Sequence, residues 1–232
     1  MRSYPETDFR LPKRDETLPN FFTDVIADTD EARRAFETHP VVFDSVANGM
    51  SLDRYRLLLC ELYHVVWHFN PICAAAASRI TDEYADVRYF LYRHMHEESG
   101  HEQWVLDDLA AVGVGPERVA EYTPSAHVLS LVGFNYWASD RRNPCSVLGM
   151  MYVLEVIAAV YGGPFSVAIK EGLLLQGERG TSFLSSHASL DAVHMAELRD
   201  ILNQIGGADA QKAVIESIRV NFLQITNVFA AI

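Results

Sequence analysis

Apolar residues recur along this chain at intervals of three and four, and no stretch shows the strict alternation of a half-buried strand. Glycines, prolines and capping residues divide the pattern into helices. Asp28-Thr29-Asp30 reads as a cap opening a helix over 28–48, with Gly49 as its stop. Ser51-Leu52-Asp53 opens the next. Leu57, Leu58, Leu62, Val65, Val66 and Phe69 keep its period to residue 80, with a kink expected at Pro71. Thr81-Asp82 caps a third helix, continuous to residue 112 and stopped by Gly113 and Gly115. A short helix over 116–121 and another over 125–140 follow. Asn143-Pro144 begins a long apolar helix, interrupted at Gly162-Gly163-Pro164 and ending near Gly172. Residues 173–180 read as loop, 181–205 as helix, Gly206-Gly207 as a break, and 209 onward as a last helix. Residues 1–20, with Pro5, Pro12 and Pro19, are expected as an extended arm. The pattern therefore predicts an all-α fold, with residues 21–232 forming one domain.

Composition narrows the function classes. A formal net charge of −12 argues against nucleic acid or an anionic membrane as partner. No uninterrupted apolar run reaches the roughly 18 to 20 residues of a membrane span, and the first residues lack a signal peptide's apolar segment. Cys60, Cys73 and Cys145 form neither a C-x-x-C pair nor an even disulfide set. The expected setting is the reducing cytoplasm.

The candidate chemistry lies in histidines and carboxylates. On a helix, offsets of four and seven place Asp191 and His194 at about +40° and −20° from His187, so all three leave one face. His94, Glu98 and His101 repeat those offsets. Two imidazoles and a carboxylate suit divalent iron, manganese or zinc, although a polar helix face bearing unrelated histidines has the same pattern. Glu61 sits among Leu57, Leu58, Leu62 and Val65, where burial of a carboxylate demands a metal or a salt bridge. Glu155 lies in the apolar run 150–160, which leaves it as a metal ligand or a proton carrier. Glu61, Glu98, His101, Glu155, His187, Asp191 and His194 together exceed what one ion with an open position needs, and so suggest two ions bridged by carboxylate. Without thiolates in the set, iron or manganese is favoured over structural zinc. His64, His68 and His94 read as groups that orient the ligands from behind or as satisfied core, although geometry also allows His94 as a ligand, and Glu97 as a supporting group or solvated face.

The ordered set Glu61, Glu98-x-x-His101, Glu155 and His187-x-x-x-Asp191-x-x-His194 resembles the haem-oxygenase-like diiron oxidases and oxygenases over residues 50 to 205. The resemblance implies a seven-helix bundle, two Fe(2+) ions per chain, O2 as co-substrate and no haem. It implies reactions such as fatty-acid decarboxylation, amine N-oxygenation, and oxidative desaturation, fragmentation or cyclisation of amino acids. Leu91 stands where N-oxygenating members carry an additional carboxylate, and residues 152–169 hold no lysine of the kind used by members that consume their own side chains. The expectation is an O2-dependent oxidase or oxygenase abstracting hydrogen from a small carboxylate substrate, an amino acid first and a fatty acid second. A metal-free enzyme resembling thiaminase II or pyrroloquinoline quinone synthase is the alternative. A ferritin-like iron protein is a third reading, weakened because only one Glu-x-x-His pair is evident. Tyr152, Tyr161, Gly162 and Phe165 are candidate pocket walls, and Arg79 and Arg199 candidate carboxylate clamps. An external electron donor and a homodimer are further expectations. The helix over 181–195, hydroxyl-rich at its start, is expected to be partly disordered or unwound without metal and to order as metal binds.

Overall fold

Phe21, not Thr29, lies at the start of the first helix. The computed structural model describes residues 20–232, apart from the side chains of residues 188–193. Of the predicted arm, only Asn20 falls among them. Its side chain accepts the Thr23 amide and caps α1 (Phe21–Glu37). The anticipated cap at 28–30 lies mid-helix, where the Thr29 hydroxyl donates to the Val25 carbonyl at 2.7 Å. Serine and threonine serve both roles, and the apolar pair Phe21-Phe22, both buried, decides between them. Pro40 then ends the continuity expected through residue 48 and starts α2 (Pro40–Asn48) at its first turn.

Ser51 caps α3 (Leu52–Ala77), which runs through Pro71. The predicted third helix is two: α4 (Ala85–Glu97) and α5 (His101–Ala111), parted at Gly100, whose φ of +95° is a conformation that favours glycine. After α6 (Pro116–Glu121) and α7 (Ala126–Arg141) comes the apolar stretch, seen as α8 (Val147–Ile157), a π turn (Ala158–Gly162) and α9 (Gly163–Leu173). Pro164 lacks the amide that a regular helix would use here, and the backbone answers with wider π spacing. The chain closes with α10 (Ser182–Leu202) and α11 (Ala208–Ala231). Eleven α-helical segments thus stand among the described residues instead of seven, because proline and glycine split long helices without changing the all-α class.

α11 runs along α1, α7 and α8, α3 packs on α4, α5 and α7, and α10 lies against α5, α8 and the π turn. A single apolar core, with Tyr55, Phe36, Phe222 and Met151 among its fully buried side chains, unites them. Pro144–Leu173 is long and apolar enough to cross a membrane, yet 72% of its most apolar window is buried in the bundle, where core packing accounts for its composition. Asn135 and Asn221 exchange amide hydrogen bonds at 2.7 and 3.1 Å between α7 and α11, satisfying polar groups that burial would otherwise penalise.

Helices α8 and α11 approach closely at Gly149. A Cβ there would stand 2.6 Å from the Val214 carbonyl oxygen and 2.7 Å from Ser217 Cβ, so α8 and α11 touch backbone to backbone. Gly149→Ala should destabilise the protein by about 1–3 kcal/mol. Urea unfolding measures this, and an unchanged midpoint would mean that the two helices are not in such contact.

Candidate metal centre

The break at Gly100 places Glu98 and His101 on either side of a turn. Glu98 is the residue that ends α4, and His101 is the first of α5. Their side chains meet, with His101 Nδ1 2.6 Å from Glu98 Oε2. Burial pushes the Glu98 carboxyl up, but the His101 hydrogen bond and the neighbouring imidazoles outweigh it and hold the group below the usual carboxylate range.

Two donor groups form around this carboxylate. Glu98, His101 and His187 have ligand atoms within 4.8 Å of one another, and so do His94, Glu98, Glu155 and His194. In the second group His194 Nδ1 lies 3.3 Å from Glu155 Oε1 and 3.7 Å from Glu98 Oε1. His94 Nε2 lies 3.5 Å from the same Glu155 oxygen. The four helices α4, α5, α8 and α10 supply these side chains. Asp191 falls on α10 between His187 and His194, and its side chain lies outside the described residues.

The start of α10 has anchors of its own. Buried Asp108 on α5 accepts the Ser182 and Phe183 amides at 2.8 and 2.9 Å and the Ser182 hydroxyl at 2.8 Å. Tyr55 donates to the Gly180 carbonyl at 2.6 Å. A carboxylate accepting amides at a helix start satisfies donors that would otherwise be orphaned. Protein groups thus anchor the first turn of α10, and Asp108 gave no sign of this in the sequence. Aromatic rings enclose the first donor group: Trp104 stacks on His101 at 4.0 Å, and Phe183 lies 4.4 Å from the His187 ring.

Glu61 is elsewhere. Its carboxylate accepts the Tyr122 hydroxyl and the Ser125 amide (2.9 Å) and hydroxyl (3.2 Å), at the start of α7, and joins neither donor group. His64 stacks on Tyr122, and His68 Nδ1 pairs with the Tyr136 hydroxyl at 3.0 Å; burial lowers the pKa of both imidazoles. Both face α6 and α7 instead of the donor groups. Glu97 sits at the rim, 3.9 Å from His194 Nε2.

The donors open onto an apolar cavity. Glu98, Glu155 and His187 line one part of it, and Leu62, Val66, Phe69, Leu131, Ile225 and Phe229 are among the side chains of the remainder. Tyr161, Gly162 and Phe165 also contribute, brought inward by the π turn that follows Glu155. Tyr161 donates its hydroxyl to Glu37. Tyr152 is not in the wall; it is buried against Phe22, which pushes its phenol up to about 12. Neither arginine considered as a clamp reaches the cavity: Arg79 pairs with Asp140, and Arg199 with Asp200. Cys60, Cys73 and Cys145 are buried free thiols.

These residues fit a metal on chemical grounds. His94 is 1% exposed, and neither of its ring nitrogens has a hydrogen-bond partner; Glu98 Oε1 is likewise buried without one. Buried polar atoms left unpaired are costly, and an ion between them would remove the cost. The set is oxygen and nitrogen only, as iron and manganese prefer.

Comparison with known proteins agrees in kind. A model of the family described as iron-containing redox enzyme matches residues 56–222. The chain belongs to that family. Among solved structures, a domain of unknown function with a haem-oxygenase-like fold from Shewanella denitrificans superposes with a TM-score of 0.78 at 23% identity, covering 95% of this chain and 92% of the other. A TenA homologue from Pseudomonas syringae gives 0.79 at 16% identity, with 94% of each chain covered. Haem oxygenase-2 from Synechocystis gives 0.75 at 15% identity, covering 91% and 84%. At these identities the likeness establishes the haem-oxygenase-like fold alone. No curated protein matches in sequence.

Burial pushes the His94 imidazole down to about 4 from its ordinary 6.5. The folded metal-free family member therefore refuses a proton that its unfolded chain accepts. The corresponding stability is fully present above about 6.5 and is lost as pH falls toward about 4, on the order of 3 kcal/mol. Denaturant unfolding of metal-free protein across that window should show the decline, and His94→Gln should flatten its share. A variant profile parallel to the wild type would show that His94 is not the source.

Proposed function

We propose that this protein is an O2-dependent non-haem diiron oxidase or oxygenase. The observation that carries the reading is Glu98, which stands in both donor groups at once, as a carboxylate bridging two ions would. Glu98, His101 and His187 would hold one ion, and Glu98, Glu155 and His194 the other, with Asp191 as an additional donor. Membership of an iron-containing redox family supports iron over manganese. Two ferrous ions bound there would supply O2 activation and the oxidising equivalents for breaking a C–H bond, with an external donor returning electrons.

The protein's own contribution is positioning and exclusion of water. Trp104 and Phe183 pack on His101 and His187 and fix their ring planes. The Glu37 hydrogen bond fixes Tyr161, so that its ring serves as wall. The cavity contains no lysine or arginine among its described lining residues, and its carboxylates lie in the donor groups. An amino acid would find apolar walls and no counter-charge for its carboxylate away from the metals. An apolar chain with a single carboxylate head suits this shape better, its head toward the ions and its body along Leu62, Val66 and Phe229. The preference thereby moves from an amino acid to a fatty-acid-like substrate.

Anaerobic titration with ferrous ion should saturate near two equivalents per chain, and Glu98→Ala should weaken both. Saturation at one equivalent would remove the dinuclear reading. A thermal-shift series on the ferrous protein without O2 should rank medium-chain fatty acids above polar amino acids, and Ala158→Phe, which fills the cavity beside Glu155, should erase the fatty-acid shift. The opposite ranking would return the substrate to the amino-acid class.

A further inference from the structure

We infer that His94 is itself a metal ligand, a fourth protein donor for the ion between Glu155 and His194, and not a group steering a ligand from behind. The inference rests on the dinuclear reading above and adds a residue whose sequence position suggested a supporting role.

A histidine that orients a ligand from behind does so by donating a ring N–H to that ligand. His94 makes no such bond, since both nitrogens are unpartnered at 1% exposure. Its Nε2 lies 3.5 Å from Glu155 Oε1, which places it at the donor group without an established hydrogen bond. A shared ion is a common reason for two donors to stand slightly too far apart to bond each other. The ring also has few alternatives. Phe90 and Phe69 pack beside it, with centroids at 5.5 and 5.7 Å, and the His194 ring stands 4.8 Å away. Rotation away from the donor group would turn its polar edge toward aromatic carbon.

Backbone placement gives the same answer. His94 lies in the last turn of α4, one turn before Glu98. The two side chains therefore project from one helix face toward one place. Glu98 ends the helix and reaches both donor groups, whereas His94 belongs only to the Glu155 group. The two ion positions are consequently unequal. The described donors at the Glu155 position number four, against three at the His101 position, so the latter retains more room for exogenous ligands.

Cobalt(II), loaded anaerobically as a spectroscopic probe, tests this without turnover. Wild-type protein should bind two equivalents and show four hyperfine-shifted imidazole N–H proton signals, from His94, His101, His187 and His194. His94→Ala should lose one signal and weaken one equivalent by at least 100-fold. His94→Cys should gain a thiolate-to-cobalt charge-transfer band in the near ultraviolet, absent from the wild type with its three native cysteines. Two bound equivalents with three N–H signals in the wild type would overturn the assignment of His94 while leaving the dinuclear centre intact, even if the variants fail to fold. Absence of tight cobalt binding in the wild type would overturn the centre and this inference together.

Discussion

The constraint behind this structure is the burial of ionisable groups in a bundle whose interior is otherwise apolar. Carboxylates and imidazoles lose several kcal/mol of hydration on entering such an interior unless something replaces it. Glu155 is set in a helix of valine, leucine and methionine, and His94 between phenylalanine rings. Replacing buried charged pairs by aliphatic side chains of similar volume is often neutral or stabilising. The convergence of Glu155 and His94 on Glu98 is a feature that stability does not explain and that an ion would.

Backbone irregularity is concentrated where the donors meet. Gly100 turns the chain between Glu98 and His101, so the pair sits on two helices with different axes. One turn after Glu155 the π spacing of 158–162 shifts the register, and Ala158, Tyr161 and Gly162 all face the cavity. Both irregularities follow from glycine and proline in the sequence, and each trades helical regularity for the placement of a side chain.

Helical class was legible because the periodicity is strong, and most boundaries followed from Gly49, Ser51, Gly113 and Gly206. The failures have specific causes. Thr29 could cap a helix or bond back within one, and only the burial of Phe21 and Phe22 distinguishes these. The continuous helix drawn through Gly100 made the His94, Glu98 and His101 offsets equivalent to those of the 187–194 segment. The turn breaks that equivalence, although the side chains still converge. Asp108 could not be found from spacing, since its partners lie 74 and 75 residues away. The pocket wall was read partly from nearness in sequence, which brought in Tyr152; that residue packs against Phe22 and does not line the cavity.

Glu61 shows how two answers to one problem can be told apart. From sequence, Glu61 and Glu155 pose the same question: a carboxylate on an apolar helix needs compensation. At Glu61 the answer is complete within the protein, with a tyrosine hydroxyl, a serine hydroxyl and a backbone amide filling its acceptor sites. The interaction also ties the start of α7 to α3. Around Glu98 the protein supplies one short bond to His101 and leaves Oε1 without a partner, with both His94 nitrogens unpaired nearby. Burial is common to both places, and polar type is as well. What separates them is the hydrogen-bonding capacity left over after folding. That unmet capacity, at His94 and at the carboxylate shared by both donor groups, is what marks this cluster as a candidate metal centre.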